Sequence, residues 1–255
     1  MVDIERTKFG IQGLDKALMG GIPQGNIVLV SGGAGTGKST LCLQFLVNGV
    51  TAFGEKALYI STEQTEGELQ KQASSFGWDL KRLEEKNLLK IIFFDITHGD
   101  NFLQQVDLTI KEFKPKRIVI DSMTTLTDSL IIGGMSEDSA FSLVQVLESV
   151  SPIPRTEQII AKSILYKLIA ELKKYKLTTI LTSELYEEAK RLSADGISEF
   201  ITDGVIILHY IEIGASDYRS MEIRKMRYSD YGKDVIPYNI TSKGIEIVEE
   251  EKTKF

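Results

Sequence analysis

The chain has 255 residues, of which 42 % are hydrophobic and 26 % are charged, which is the composition of a folded globular protein and excludes a disordered or fibrous one. Its formal net charge of −6 gives no overall attraction to nucleic acid. The first residues are charged and no apolar run reaches the roughly 18 residues that cross a bilayer, so we expect a cytoplasmic protein without membrane insertion.

Apolar runs alternate with helical patterns through most of the chain. The predicted strands are 27–31, 57–62, 89–95, 117–121 and 178–182, and the predicted helices are 13–18, 40–48, 102–113 and 156–176. Strands that are separated by helices in this way are typical of a parallel sheet with crossover connections. The sequence therefore predicts an α/β fold with a mostly parallel central sheet that is flanked by helices.

The alternation of predicted strands and helices breaks down in two places. Residues 127–157 are less regular, with glycine and proline clusters around a helical pattern at 140–150. Beyond residue 200, four strand-like runs follow one another without helices, at 204–213, 220–226, 236–241 and 244–248, which predicts an antiparallel C-terminal extension of the sheet. We expect one domain over 1–255, with a core from about 7 to 248 and a charged, solvated tail at 249–255.

Residues 32–39 have the sequence GGAGTGKS, a complete G-x-x-x-x-G-K-[ST] phosphate-binding loop (P-loop, or Walker A motif) between a predicted strand and a predicted helix. In such loops the backbone N–H groups face phosphate oxygens, the lysine adds a positive charge, and the hydroxyl of the next residue binds Mg²⁺. The alternative is a glycine-rich turn that binds no phosphate, but such a turn would not require a strand before it and a helix after it. The predicted nucleotide-binding residues are Gly33, Ala34, Gly35, Thr36, Gly37, Lys38, Ser39 and Thr40, with Lys38 also catalytic and Ser39 also a metal ligand.

Two acidic residues stand where predicted strands end. Asp121 closes the apolar strand 117–121, the Walker B pattern, and is predicted to hold Mg²⁺ through water, although aspartates at strand ends also cap helices. Glu63 follows strand 57–62 and is predicted to activate the water that attacks the γ-phosphate. The alternative role of Glu63 is to cap a helix that begins near Thr65.

Four further stretches carry a resemblance to a known family. They are FLVNG at 45–49, STEQT at 61–65, SFGWDL at 75–80 and FITDGVIIL at 200–208. With the P-loop they resemble the KaiC domain, a branch of the RecA-like P-loop ATPases, and the resemblance runs from about residue 7 to 248. Because a chain of 255 residues has room for one copy of that domain, it resembles a single-domain archaeal or bacterial KaiC-like ATPase.

The resemblance implies a RecA-like fold and further site residues. Glu63 corresponds to the catalytic glutamate of the family, while Gln64 stands where a second glutamate is common, which implies slow ATP hydrolysis. Lys225 and Arg227 correspond to a Lys-x-Arg segment that reaches the γ-phosphate in a neighbouring subunit; the alternative is a solvated basic strand. The residues after Arg227 are YSDY, where the family commonly has GTSH.

The last implied site residues are Thr241 and Ser242. They match the segment that borders the base and ribose, with Ser242 at a position where the family frequently has aspartate. The mixed charges of residues 183–199, in the region where RecA-like proteins carry a DNA-facing loop, favour a solvated helix over a nucleic-acid contact.

The function that this resemblance implies is a slow ATPase that binds ATP and Mg²⁺ and acts as a nucleotide-dependent switch. It would assemble as a ring, most simply a hexamer, and alter its affinity for an unidentified protein partner. Two alternatives stay open. One is an accessory protein of DNA recombination, related to RecA and RadA, that binds single-stranded DNA; the other is an ATP-binding accessory of the archaellum motor.

Overall fold

The computed structural model describes residues 4–95, 102–126, 156–185, 191–213 and 216–248. The irregular segment, with its predicted helix at 140–150, and the charged tail lie outside these residues, apart from residues 156–157 at the end of the segment. The helices are α1 (Gln12–Ala17), α2 (Lys38–Phe53), α3 (Glu66–Ser74), α4 (Leu80–Glu85), α5 (Phe102–Phe113), α6 (Thr156–Lys174) and α7 (Ser198–Ile201). None of the helices in the described ranges is both long and apolar enough to cross a membrane.

The strands form a large mixed sheet and a small two-stranded one. They are β1 (Arg6–Thr7), β2 (Ile22–Pro23), β3 (Ile27–Gly32), β4 (Ala57–Ser61), β5 (Leu89–Phe93), β6 (Arg117–Asp121), β7 (Thr178–Glu184), β8 (Gly204–Ile213), β9 (Ser216–Met226), β10 (Ile236–Thr241) and β11 (Gly244–Ile247). The nine-stranded sheet has the order β11-β10-β9-β8-β3-β7-β6-β4-β5, and β1 pairs with β2. The pairings from β8 through β3 to β5 are parallel, and those of β8 to β11 are antiparallel. The predicted fold is therefore confirmed.

Both faces of the parallel sheet are covered, as the apolar strands require. Because side chains alternate between the faces of a strand, Val28 and Val30 of β3 pack in one core with α2, whereas Ile27 and Leu29 pack in a second core with α5 and α6. The parallel arrangement puts the carboxyl ends of β3, β4, β6 and β7 at one edge of the sheet. That edge is where ligands bind in open α/β sheets.

The structure corrects one predicted helix and extends three predicted strands, β3 to Gly32, β7 to Glu184 and β9 back to Ser216. The helix expected over 183–199 is wrong at most of the described positions, because Ser183 and Glu184 end β7 and residues 191–197 form bends. Only residues 198 and 199 of this range are helical, at the start of α7. In those bends the Asp195 carboxylate accepts hydrogen bonds from the backbone N–H groups of Ile197 and Ser198, which competes with helix formation. The strand predicted at 220–226 begins earlier, at Ser216.

Candidate functional site

The loop after β3 has the backbone that a phosphate-binding loop needs. Gly35 and Gly37 have φ angles of 73° and 92°, in the left-handed region that favours glycine. A Cβ added at Gly37 would lie 2.7 Å from Cδ1 of Ile240, whereas one added at Gly35 would meet no atom within 4 Å. The loop is thus packed on one side and open on the other, where a ligand can approach its backbone. The Tyr238 hydroxyl donates to the carbonyl oxygen of Thr36 (2.5 Å) and holds the packed side.

A single pocket at this edge of the sheet brings eight predicted site residues together: Ala34, Gly35, Gly37, Lys38, Ser39, Thr40, Glu63 and Asp121. The predicted residues Gly33 and Thr36 are not among its lining residues. Its other lining residues are Gln72, Glu184 and Ile240. The P-loop residues connect β3 to the start of α2, Glu63 follows β4, and Asp121 ends β6, so their proximity results from the parallel strand order.

The Asp121 carboxylate is held by two hydroxyl groups. Tyr59 donates to Oδ2 (2.6 Å) and Thr182 donates to Oδ1 (2.5 Å), and the residue is only 4 % exposed. Burial, followed by the nearby negative charge of Asp121, raises the pKa of Tyr59 well above its ordinary value, so this phenol remains a proton donor at neutral pH. The neighbouring strands β4 and β7 therefore orient the carboxylate.

Glu63 lies just beyond β4 and is exposed to solvent in the pocket. One of its oxygens, Oε1, accepts hydrogen bonds from Ser122 Oγ (2.5 Å) and Thr125 Oγ1 (2.6 Å). Helix α3 is capped instead by Thr65, which forms a reciprocal capping box with Glu68. The structure thus gives the capping role to Thr65 and leaves Glu63 at the edge of the pocket.

Lys38 contacts an acidic residue that the sequence analysis did not single out as part of this site. Its ammonium group lies 3.0 Å from Oε1 of Glu184, the last residue of β7, and donates to the carbonyl oxygens of Gly32 and Gly33. The rule that selected Glu63 and Asp121, an acid at the carboxyl end of an apolar strand, could also have found Glu184.

Three other side chains at the loop come from distant parts of the sequence. Arg219 of β9 donates from Nε to the carbonyl oxygen of Gly35 (3.2 Å), and Gln72 of α3 donates to Thr40 Oγ1 (3.3 Å). Ile240 of β10 packs on the loop. The sequence analysis did not single out Arg219 or Gln72, whereas Ile240 directly precedes the predicted residues Thr241 and Ser242.

The donor set of the pocket fits a nucleoside triphosphate with Mg²⁺. Backbone N–H groups and an ammonium group suit phosphate oxygens, and the Ser39 hydroxyl and the Asp121 carboxylate are oxygen ligands of the kind that Mg²⁺ takes together with phosphates. The open backbone at Gly35 leaves room for close approach.

A protein-family model described as the KaiC ATPase matches residues 7–148 and 135–252. The chain belongs to the KaiC ATPase family. The circadian clock oscillator proteins KaiC of Nostoc sp. and Synechococcus elongatus are each 31 % identical to it over 96 % of its length. The chain spans 44 % of the length of each of these two relatives. The crystal structure of the KaiC-like protein PH0186 from the hyperthermophilic archaeon Pyrococcus horikoshii OT3 matches with a TM-score of 0.78 and 31 % identity, covering 97 % of this chain and all of that one.

In this KaiC-family chain, Lys225 and Arg227 lie at the opposite end of the sheet from the P-loop. The Arg227 N–H donates to the Asp203 carbonyl, and the Asp203 N–H donates to the carbonyl of Ile27, the first residue of β3. The P-loop begins at the other end of β3, about 16 Å away at the usual rise per strand residue. The structure therefore does not bring these two cations to the pocket of their own chain.

Both cations have partners at that end. Lys225 donates to three backbone carbonyls, of Glu199, Phe200 and Thr202, and burial, followed by the charge of Arg227, lowers its pKa below the ordinary value. Arg227 forms an ion pair with Asp203 (3.2 Å). The Lys-x-Arg segment of this family member is thus an ordered part of the structure.

Thr241 and Ser242 lie where β10 turns into β11. Thr241 Oγ1 accepts from the Lys243 N–H (3.1 Å) and donates to the Gly244 carbonyl (3.3 Å), which shapes the turn. The residue before them, Ile240, lines the P-loop pocket. The turn is therefore adjacent to the pocket, while the two predicted residues are not among those that line it.

Proposed function

We propose that this KaiC-family chain binds ATP with Mg²⁺ at the P-loop pocket and hydrolyses it slowly, as a nucleotide-dependent switch. The observation that carries the proposal is the single pocket that holds Lys38, Ser39, Glu63 and Asp121. These groups are those that phosphoryl transfer requires: a cation for the phosphates, oxygen ligands for the metal and an acid to orient water.

Each residue has a defined part in this proposal. Lys38 places its charge on the β- and γ-phosphates, and Ser39 and Asp121 hold Mg²⁺, Asp121 through water. When bound, Mg²⁺ neutralises charge on the phosphates. Glu63 accepts a hydrogen bond from the attacking water and takes its proton, while the hydroxyls of Ser122 and Thr125 fix the other side of the carboxylate.

The proposal also includes assembly. Because Lys225 and Arg227 are far from the pocket of their own chain, any phosphate they contact belongs to another copy. Such head-to-tail contacts close into a ring, and we propose a hexamer of one-domain subunits that binds an unidentified protein partner. Thr241 and Ser242 are proposed to border the base and ribose, beside Ile240.

The test of this function is ATP hydrolysis measured against protein concentration, with molecular size determined in parallel. We expect the rate per subunit to rise with concentration as the ring assembles, and added single-stranded DNA to leave the rate unchanged. Salt-dependent binding to single-stranded DNA would instead support the recombination accessory. Tight ATP binding without hydrolysis at any concentration would support the archaellum-type accessory.

A substitution of Glu63 separates binding from hydrolysis. Glu63→Gln is expected to keep the affinity for ATP and to slow hydrolysis about 10²-fold or more, because a general base contributes roughly 10² to 10⁴. Single-turnover hydrolysis and equilibrium ATP binding measure the two effects. Glu85→Gln, at an exposed position of α4, is the matched control and should hydrolyse at the wild-type rate. Unchanged hydrolysis in Glu63→Gln would remove Glu63 from the mechanism.

A further inference from the structure

The ammonium group of the P-loop lysine is already surrounded by three oxygen atoms, two carbonyl oxygens that accept its hydrogen bonds and one carboxylate oxygen at ion-pair distance. An ammonium group has three N–H bonds. Lys38 Nζ lies 2.8 Å from the Gly32 carbonyl oxygen, 3.1 Å from that of Gly33 and 3.0 Å from Glu184 Oε1, and its side chain is only 9 % exposed. A phosphate oxygen that binds this ammonium therefore competes with these oxygen atoms, and with the Glu184 carboxylate in particular for the positive charge.

Glu184 is the acceptor that can leave at least cost. The two carbonyls belong to the loop backbone, whereas the Glu184 side chain is 34 % exposed. The Glu184 backbone is fixed by pairing with Gly32 in the sheet and by a hydrogen bond from its N–H to Thr124 Oγ1 (3.0 Å). The carboxylate can thus rotate away from Lys38 while the strand stays in place.

The three carboxylates of the pocket differ in what holds them. Within the described structure, Glu63 and Asp121 accept hydrogen bonds from neutral hydroxyl groups, which do not neutralise the negative charge of a carboxylate. Glu184 is instead paired with the positive charge of Lys38. When a phosphate binds Lys38 in place of Glu184, the Glu184 carboxylate loses its cationic partner and lies next to a second negative charge. Displacement of Glu184 therefore costs free energy that grows with the charge of the entering phosphates.

We infer that Glu184 competes with the nucleotide phosphates for Lys38 and thereby lowers the preference of the pocket for ATP over ADP. The inference rests on the proposed function. A P-loop lysine contacts both β- and γ-phosphates, so both nucleotides displace Glu184. ATP brings additional negative charge to the same place and meets the stronger repulsion. Glu184 is on this account a specificity-determining residue of the nucleotide site.

The test is the affinity of Glu184→Gln for ATP and for ADP, each in the presence of Mg²⁺. Titration with a fluorescent ATP analogue gives the dissociation constant of the analogue. Its displacement by unlabelled ATP and by unlabelled ADP then gives the dissociation constants of these two nucleotides. Removal of one partly screened charge should tighten ATP binding about 5- to 10-fold and ADP binding less than about 3-fold. Glu184→Ala removes the carboxylate without offering an amide donor and should shift the ATP-to-ADP ratio in the same direction.

Two controls separate the ion pair from general charge. Glu63→Gln removes a carboxylate from the same pocket that is not paired with Lys38, and it should change the ATP-to-ADP ratio less than Glu184→Gln does. Glu85→Gln, outside the pocket, should leave both affinities at the wild-type values.

An unchanged ATP-to-ADP ratio in Glu184→Gln and Glu184→Ala, with normal binding by the wild type, would overturn the inference alone. Weaker ATP binding in these variants would also overturn it, because Glu184 would then help to hold the nucleotide or its metal. Failure of the wild type to bind either nucleotide would contradict the proposed function itself.

Discussion

Lys38→Ala should lower the affinity for ATP by about 10²-fold or more. Truncating one partner of a desolvated, hydrogen-bonded charge pair costs roughly 2 to 5 kcal/mol, and the Lys38 side chain is only 9 % exposed. The loop backbone would still offer its N–H groups, so the loss reports the ammonium group together with the Glu184 carboxylate that it leaves without its cation. Equilibrium titration with a fluorescent ATP analogue in Mg²⁺ measures it.

Two comparisons show whether the loss is specific. Lys38→Met keeps most of the aliphatic stem and should lose affinity to a similar extent, which excludes a cavity in α2 as the cause. Lys86→Ala, an exposed lysine at the end of α4, should bind ATP as the wild type does. Near-normal affinity in both Lys38 variants would mean that residues 32–39 are not the phosphate site.

The sequence predicted those parts of the site that are formed by neighbouring residues of the chain. The P-loop is a contiguous motif, and β6 was predicted at its observed bounds, Arg117–Asp121, because the apolar run 118–120 has a charged residue at each end. The start of β9 at Ser216 was missed because its first residues are polar and belong to an antiparallel pair, where one face can meet water.

Contacts between distant segments could not be predicted in the same way. Arg219 reaches the Gly35 carbonyl across 184 residues, and its position depends on how β9 pairs with β8. Glu184 was assigned to a helix because its neighbours carry mixed charges, but β7 continues through it beside β3. Side-chain periodicity does not contain this information, because strand order and register decide which ends meet.

Arg227→Ala is expected to lower hydrolysis by roughly 10³-fold, the lower end of the effect of arginines that act in trans on phosphoryl transfer. The affinity of the isolated subunit for ATP should stay close to that of the wild type, because Arg227 is at the far end of β3 from the P-loop. Hydrolysis per subunit and equilibrium ATP binding, measured at the same protein concentration, give the two quantities.

The structure also offers a control for the loss of an ion pair. Asp203 is only 3 % exposed on its side chain and is paired with both Arg227 and Lys173, so it keeps one cationic partner when Arg227 is removed. Lys173→Ala removes the other partner of the same carboxylate and should leave hydrolysis near the wild-type rate. A similar loss of activity in both variants would trace the effect to Asp203 and the packing around it.

Mixing two inactive variants tests whether the site is shared. In a mixed ring, a subunit with Arg227→Ala has an intact Glu63, and a neighbour with Glu63→Gln can supply an intact Arg227 to it. We expect partial recovery of ATP hydrolysis in the mixture, since each such interface holds one complete set of groups. No recovery despite confirmed co-assembly, or equal hydrolysis by a proven wild-type monomer, would refute the trans role. Arg227 would then act within its own chain, through the Asp203 contact that links β9 to the start of β3.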